Sequence, residues 1–160
     1  MERISRTSGV TIVELVIVLV ILGILSAVAA PRFFSRSGFH ERFFFQDSLA
    51  ALRYAQKLAV ASGCEVQVTF SASDYALAQR ASCQSGAFSQ AVPNPGTGGA
   101  SYTNQAPSGT ALASSVNPII FDGLGRALNA SLTAADATVT VGAQSINVTG
   151  ETGFVFDPSG

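Results

Sequence analysis

One ionisable side chain, Glu14, interrupts an otherwise apolar run from Val10 to Ala30. A carboxylate near the middle of a bilayer costs about 2.5–3.5 kcal/mol, so it persists only where it has a partner. Cleavage of the chain after Gly9 would create a free amine on Val10, four residues before this carboxylate. That amine in one subunit can pair with Glu14 of a neighbouring subunit, which makes Gly9, Val10 and Glu14 the candidate chemical site.

Two cysteines, Cys64 and Cys83, are the next residues with covalent chemistry. An even number of cysteines in an exported chain suggests a disulfide. Closing this loop would stabilise the fold by about 3 kcal/mol in the chain-entropy model. Two free thiols are the alternative. A metal site is disfavoured because His40 is the single histidine and no third cysteine can complete a tetrahedral set.

The sequence does not contain the residue sets that enzymatic chemistry needs. It has one histidine, no Ser-His-Asp set and no Gly-rich phosphate loop. The pair Asp122-Gly123 is better explained as a turn than as part of a catalytic site. We therefore expect no catalytic residue and no cofactor.

The composition excludes several classes of protein. Of 160 residues, 12% are charged, against about 25% in a typical soluble domain. A mean hydropathy of +0.37 excludes a disordered polar chain. The net charge of −1 gives no overall basic field. Beyond Lys57, two basic residues (Arg80 and Arg126) stand against six acidic ones, which disfavours binding to DNA phosphates.

The apolar run of 21 residues, 10–30, is about as long as a membrane-spanning helix. It follows a short polar leader, residues 1–9. The run can be a secretory signal peptide cleaved near Ala27-Val28-Ala29, an uncleaved anchor, or a helix that stays on the mature protein after the leader is removed. Only the third interpretation gives Glu14 a partner, so we favour it.

The segment Gly9–Leu15, GVTIVEL, resembles the class III signal of type IV pilins and pseudopilins. The resemblance implies that a prepilin peptidase cuts after Gly9 and that the new amino terminus at Val10 is N-methylated. It also implies that Glu14 guides assembly by meeting a neighbour's amine. The first mature residue of this family is usually Phe, and here it is Val10.

Further properties follow from the same resemblance. Gly23 and Pro31 match the helix-weakening positions of the family's N-terminal helix. The expected partners are the prepilin peptidase, other pilin subunits through the N-terminal helix, and the inner-membrane assembly platform, with no nucleic acid. The expected location is the bacterial inner membrane as a single-pass protein with a periplasmic head, and afterwards a pilus or pseudopilus.

The periodicity beyond Pro31 predicts an amphipathic helix over 31–63 that ends at Ser62-Gly63. Its core-facing stripe comprises Phe45, Leu49, Leu52, Ala55 and Ala59. Six phenylalanines, at positions 33, 34, 39, 43, 44 and 45, crowd its start. We expect them to pack against the chain's own head, and the alternative is that some bury against neighbouring subunits.

Residues 64–160 predict a β-rich head. Alternation predicts a hairpin of 65–70 with 74–79, and further strands at 119–121, 138–141, 145–148 and 152–156. Residues 85–117, rich in Gly, Pro, Ser and Asn, predict a long flexible loop or variable insertion. The fold class is therefore α+β: a long N-terminal helix, transmembrane in its first half and amphipathic in its second, packed on a small antiparallel sheet.

Five segments of the chain narrow the resemblance. Ala51–Cys64 is similar to the end of the long helix in the minor-pilin branch that contains the H-type pseudopilin of type II secretion, and Ile120–Arg126 resembles the F-x-x-x-G-R turn of that branch. Within it, Arg32–Phe34, Ser37–Phe39, Ala51–Cys64 and Glu151–Phe156 resemble the C-type minor pilins of the mannose-sensitive haemagglutinin (MSHA) pilus. The resemblance implies a minor pilin that enters or primes an MSHA-like pilus for surface adhesion. The alternatives are an H-type pseudopilin and, less favoured, a minor pilin that binds DNA for uptake.

Overall fold

A computed structural model of the chain describes residues 9–33, 36–83 and 85–159. The chain divides into two compact units, an amino-terminal unit (Met1–Arg36) and a head unit (Ser37–Gly160). Most of the predicted leader, residues 1–8, lies outside the described residues.

The amino-terminal unit contains helix α1, Ile12–Phe33. Its backbone stays helical across Gly23 and Pro31, so the predicted weakening at these two positions remains a prediction. The large apolar side chains of the run are exposed from Val10 to Leu25. Among the described residues, no helix combines the length and apolar character that a membrane span requires.

Helix α2, Arg36–Ser62, begins the head unit and ends where the sequence predicted. Gly63 has a φ of +69°, a left-handed conformation that suits glycine after a helix. Its N–H donates to the carbonyl of Ala59 at 2.9 Å. All five residues of the predicted stripe are buried, which confirms that this face of α2 packs on the core.

The phenylalanines at the start of α2 divide into two groups. Phe44 and Phe45 are buried in the core of the head, as predicted. Phe39 and Phe43 are 74% and 65% exposed, so the prediction that the group packs on its own head is wrong for these two. Neighbouring helical positions differ by about 100° around the axis, so three consecutive phenylalanines (Phe43, Phe44 and Phe45) span about 200° and cannot all face one core.

Six strands form the first antiparallel sheet: β1 (Val66–Phe70), β2 (Asp74–Ser82), β3 (Ser85–Ala91), β4 (Thr103–Gln105), β6 (Ile119–Phe121) and β7 (Ala127–Leu128). Their order is β3-β2-β1-β6-β7, and β4 also pairs with β2. The predicted hairpin is confirmed by the β1–β2 pairing, in which Val68 lies opposite Leu77.

Four strands form the second antiparallel sheet in the order β10-β9-β8-β5. They are β5 (Leu112–Ser114), β8 (Ala137–Val141), β9 (Gln144–Val148) and β10 (Val155–Phe156). The strands predicted at 138–141 and 145–148 are confirmed, and the strand predicted at 152–156 is restricted to its last two residues. Both sheets contribute to one core together with α2.

The prediction of a long loop over 85–117 is wrong. This segment contains β3, β4, β5 and a short 3₁₀ helix, Pro95–Thr97. β3 is exposed along almost its whole length and its pairing with β2 shifts register, so its sequence shows no apolar alternation. The segment also places Val92, Tyr102 and Leu112 in the core.

A buried polar contact ties α2 to the first sheet. The Tyr75 hydroxyl donates a hydrogen bond to Asp47 Oδ2, and Asn104 Nδ2 donates to the same oxygen at 2.7 Å. Burial, reinforced by the hydrogen bond to Asp47, raises the pKa of the Tyr75 hydroxyl far above its usual range. Burial and the charge of Asp47 also raise the pKa of Tyr102. Both side chains are therefore held in their neutral form in the folded head.

We predict that the head loses stability as the pH rises above about 10, the ordinary pKa of tyrosine. The raised folded-state pKa means that the stabilisation is complete below this pH and is lost above it. Each such tyrosine contributes up to about 1.4 kcal/mol per pH unit. Urea unfolding of the head unit between pH 8 and 12 measures this loss. Tyr75→Phe should make the dependence on pH shallower, and an unchanged slope would contradict the assignment.

Candidate functional site

The predicted processing site lies at an accessible position of the amino-terminal unit. Gly9, Val10 and Thr11 precede α1 and lie outside the helix, and the Val10 side chain is 71% exposed. Glu14 lies in the first turn of α1 with its side chain exposed. A carboxylate in the first turn is favoured by the helix macrodipole.

Thr11 caps the first turn of α1. Its carbonyl accepts the first backbone bond of the helix, from the N–H of Leu15 at 3.1 Å. Its hydroxyl oxygen accepts the N–H of Glu14 at 3.2 Å. This is the N-cap geometry, in which a side-chain oxygen satisfies a free N–H of the first turn. This role was not predicted from the sequence, although Thr11 and Glu14 have the spacing of a capping box.

A second site lies in the head, at Gln56 of α2, where three of the five segments that carry the resemblance meet: Ala51–Cys64, Ile120–Arg126 and Glu151–Phe156. The Gln56 side-chain amide donates to the carbonyl of Gly125 at 3.2 Å and to the carbonyl of Thr152 at 3.0 Å. One side chain of the helix therefore fixes both the 122–126 turn and the 150–153 turn. We call this contact the Gln56 junction.

The turn at 122–126 is organised by Asp122, which is buried. Asp122 Oδ1 accepts the backbone N–H groups of Leu124 (3.0 Å) and Arg126 (2.9 Å). Asp122 Oδ2 accepts Arg126 Nε at 2.8 Å and forms an ion pair with the same guanidinium. These contacts support the prediction that this aspartate shapes a turn, because both of its oxygens are engaged within it.

The glycines of the two turns touch each other at the junction. Gly125 has a φ of +85° and Gly153 a φ of +60°. A Cβ built on Gly153 would overlap the carbonyl oxygen of Gly125, the same oxygen that accepts the Gln56 hydrogen bond. No side chain larger than a hydrogen fits at Gly153 without displacing the turn.

The predicted disulfide between Cys64 and Cys83 is present. It follows the end of α2 and closes the β1–β2 hairpin. Beside it, Glu65 and Arg80 form an ion pair, and the Arg80 guanidinium lies 4.4 Å from the ring centre of Phe88. Within the part of the chain that the structure describes, no three His, Cys, Asp or Glu side chains lie close enough together to hold a metal ion.

The surface beside the junction carries apolar side chains. Leu124 and Phe154 are 79% and 59% exposed, and Val60 of α2 is also exposed. An open groove of about 520 Å³ lies along the 122–126 turn, and its walls include the polar groups of Glu65 and Arg126. These polar groups already pair with Arg80 and Asp122, so the groove offers no reactive group.

Comparisons with known proteins match two parts of the chain. Residues 4–30 match the model of the prokaryotic N-terminal methylation motif, and residues 46–160 match the model of the type II transport protein GspH. The chain is also similar to the crystal structure of the type IV minor pilin FimU of Pseudomonas aeruginosa. That similarity has 10% identity and a TM-score of 0.48, and it covers 77% of this chain and 88% of that one. No curated protein sequence matches the chain significantly.

We predict that Gly153→Ala destabilises the head unit by about 2–4 kcal/mol. A left-handed φ costs a residue with a Cβ about 1 kcal/mol, and forcing extra atoms into a packed site adds about 1–3 kcal/mol. Gly109→Ala is the matched control, because Gly109 has a φ of +86° and open space around its Cβ position. Urea unfolding of both variants measures the difference. Equal losses would show that the contact with Gly125 carries no energy.

Proposed function

Because the chain belongs to the family of the type II transport protein GspH and is a minor pilin or an H-type pseudopilin, we propose that it is a minor subunit of an MSHA-like pilus. We further propose that it is cleaved after Gly9 and assembled through Glu14. The observation that carries the proposal is the exposed, non-helical Gly9–Val10 bond, placed just before a helix whose large apolar side chains are exposed from Ile12 to Leu25.

Membrane anchoring before assembly is part of this proposal. The methylation motif over residues 4–30 includes the leader and most of the apolar run. Exposed apolar surface of this extent needs a cover, and contiguous uncovered patches mark membrane or protein contacts. Lipid covers the helix first, and the helices of neighbouring subunits replace the lipid in the fibre.

Glu14 sets the axial position of the subunit when neighbouring helices replace the lipid. Its carboxylate is the single charge within the apolar run, and it is costly wherever it lacks a cation. The amine on Val10 of the preceding subunit provides that cation after cleavage. A subunit displaced along the fibre would leave both charges unpaired, so their pairing selects one axial position. Prepilin peptidase and the inner-membrane assembly platform are the further partners.

DNA capture is less well supported than a structural role. The two arginines beyond Lys57, Arg80 and Arg126, are both paired with carboxylates of the head. To bind a DNA phosphate, each arginine would have to exchange its carboxylate partner in the head for a phosphate group in solvent. The family consists of structural subunits, and we assign no catalytic residue.

The H-type pseudopilin of a type II secretion system is the second candidate. The match of residues 46–160 to the GspH model favours it. The MSHA-like role is favoured by the resemblance of Ser37–Phe39, Ala51–Cys64 and Glu151–Phe156 to the C-type minor pilins of that pilus. Both roles use the same processing and the same Glu14 pairing.

We predict that Glu14→Val gives a subunit that is cleaved normally but is excluded from fibres. Removing the carboxylate makes insertion into the bilayer easier and removes the partner of the Val10 amine. N-terminal sequencing should find N-methyl-Val10 in membranes, and immunoblots should find the variant at least tenfold depleted in sheared fibres. Glu41→Gln is the matched control, since that carboxylate lies in the head unit. Normal incorporation of Glu14→Val would refute the register model.

We also predict which assembly fails when the gene for the chain is deleted from a cell that has both an MSHA-like pilus and a type II secretion system. A minor pilin of an MSHA-like pilus leaves fewer surface pili and weaker adhesion, while exoprotein secretion is unchanged. A pseudopilin gives the reverse result. Complementation with the wild-type chain should restore the affected readout, and complementation with Glu14→Val should not.

A further inference from the structure

The Gly9–Val10 bond lies outside α1 because the helix starts at Ile12, two residues after the apolar run begins. The start is fixed by the two bonds of Thr11: its carbonyl binds Leu15, and its hydroxyl binds the N–H of Glu14. Thr11 is the only residue with a hydroxyl group between Gly9 and Leu25. No other hydroxyl within that range can therefore take over its role.

We propose that Thr11 is a positioning residue for leader removal, which holds the start of α1 at Ile12 and keeps the Gly9–Val10 bond outside the helix. This inference rests on the proposed cleavage after Gly9. A peptide bond within a helix has its N–H and C=O groups engaged and its backbone enclosed by the turn. Proteolysis acts on locally open backbone, so its rate follows the population in which the bond is free.

The competing state is a helix that starts two residues earlier, at Val10, with Gly9 as its cap. Without the Thr11 hydroxyl, the N–H of Glu14 loses its acceptor, and this longer helix offers it the carbonyl of Val10 and offers the N–H of Val13 the carbonyl of Gly9. Apolar surroundings increase the cost of an unpaired N–H, and the apolar residues next to it favour this extension. The extension would draw the Gly9–Val10 bond into the first turn, where it is less accessible.

Two substitutions separate the hydroxyl from the shape of the side chain. Thr11→Val keeps the branched shape and removes the acceptor, and Thr11→Ser keeps the acceptor. The full-length chain is incubated in membrane vesicles with prepilin peptidase, and leader removal is followed with time. We expect Thr11→Val to be cleaved about fivefold more slowly, equivalent to about 1 kcal/mol, the usual effect of losing an N-cap. Thr11→Ser should be cleaved near the wild-type rate.

Amide hydrogen exchange at Val13 gives a readout that direct recognition of Thr11 by the peptidase would not change. Val13 is the second helical residue, and its N–H has no acceptor within a helix that starts at Ile12. In the uncleaved full-length chain in detergent, Thr11→Val should slow this exchange, because an extended helix offers the carbonyl of Gly9. Thr11→Ser should leave it unchanged.

The outcomes distinguish this inference from the proposed function. Wild-type cleavage of Thr11→Val, equal slowing by Thr11→Ser, or slow cleavage without a change at Val13 would each overturn the positioning role. If the wild-type chain is not cleaved between Gly9 and Val10, the proposed function itself fails. Slower cleavage and slower Val13 exchange in Thr11→Val alone would support the positioning role.

Discussion

Helix α2 must bury one apolar face against two sheets at once, and the architecture of the head follows from that constraint. Its stripe from Phe45 to Ala59 fills the core. Polar residues beside the stripe then fix individual parts of the head: Asp47 binds the first sheet, Arg53 donates to the carbonyl of Val155 at 3.1 Å, and Gln56 binds the two turns of its junction. Burial of apolar area supplies most of the stabilisation but has no direction, whereas these hydrogen bonds set where each strand and turn lies along the helix.

The same division explains how far the sequence could predict the fold. Helical periodicity and strand alternation are local, so the end of α2 at Ser62, the stripe, the first hairpin and the strands β8 and β9 followed from the residues alone. β3 could not be found in this way. Its side chains are exposed, and what holds it is backbone pairing with β2 along an irregular register. The junction of Gln56 with Gly125 and Thr152 depends on contacts across 69 and 96 residues, which no local pattern contains.

The amino-terminal site, in contrast to the head, could be predicted from local sequence. The candidate site depends on a few consecutive residues, so the motif around Gly9, Val10 and Glu14 was visible in the sequence. The role of Thr11 depends on the backbone N–H of Glu14, and a motif defined by side-chain types does not show which atom accepts that N–H. Phe39 and Phe43 show a further limit, since counting apolar residues does not reveal which side of a helix lacks a cover. Both side chains are exposed, and a neighbouring subunit could pack against them.

The ion pairs of the head also have a consequence for its behaviour next to a lipid surface. Because Arg80 and Arg126 are neutralised by Glu65 and Asp122, the charge that the region beyond Lys57 presents is that of Asp74, Asp136, Glu151 and Asp157. Anionic phospholipid headgroups repel such a surface over roughly a Debye length. If the chain is anchored in a bilayer as proposed, this charge repels the β-rich part of the head from anionic lipid.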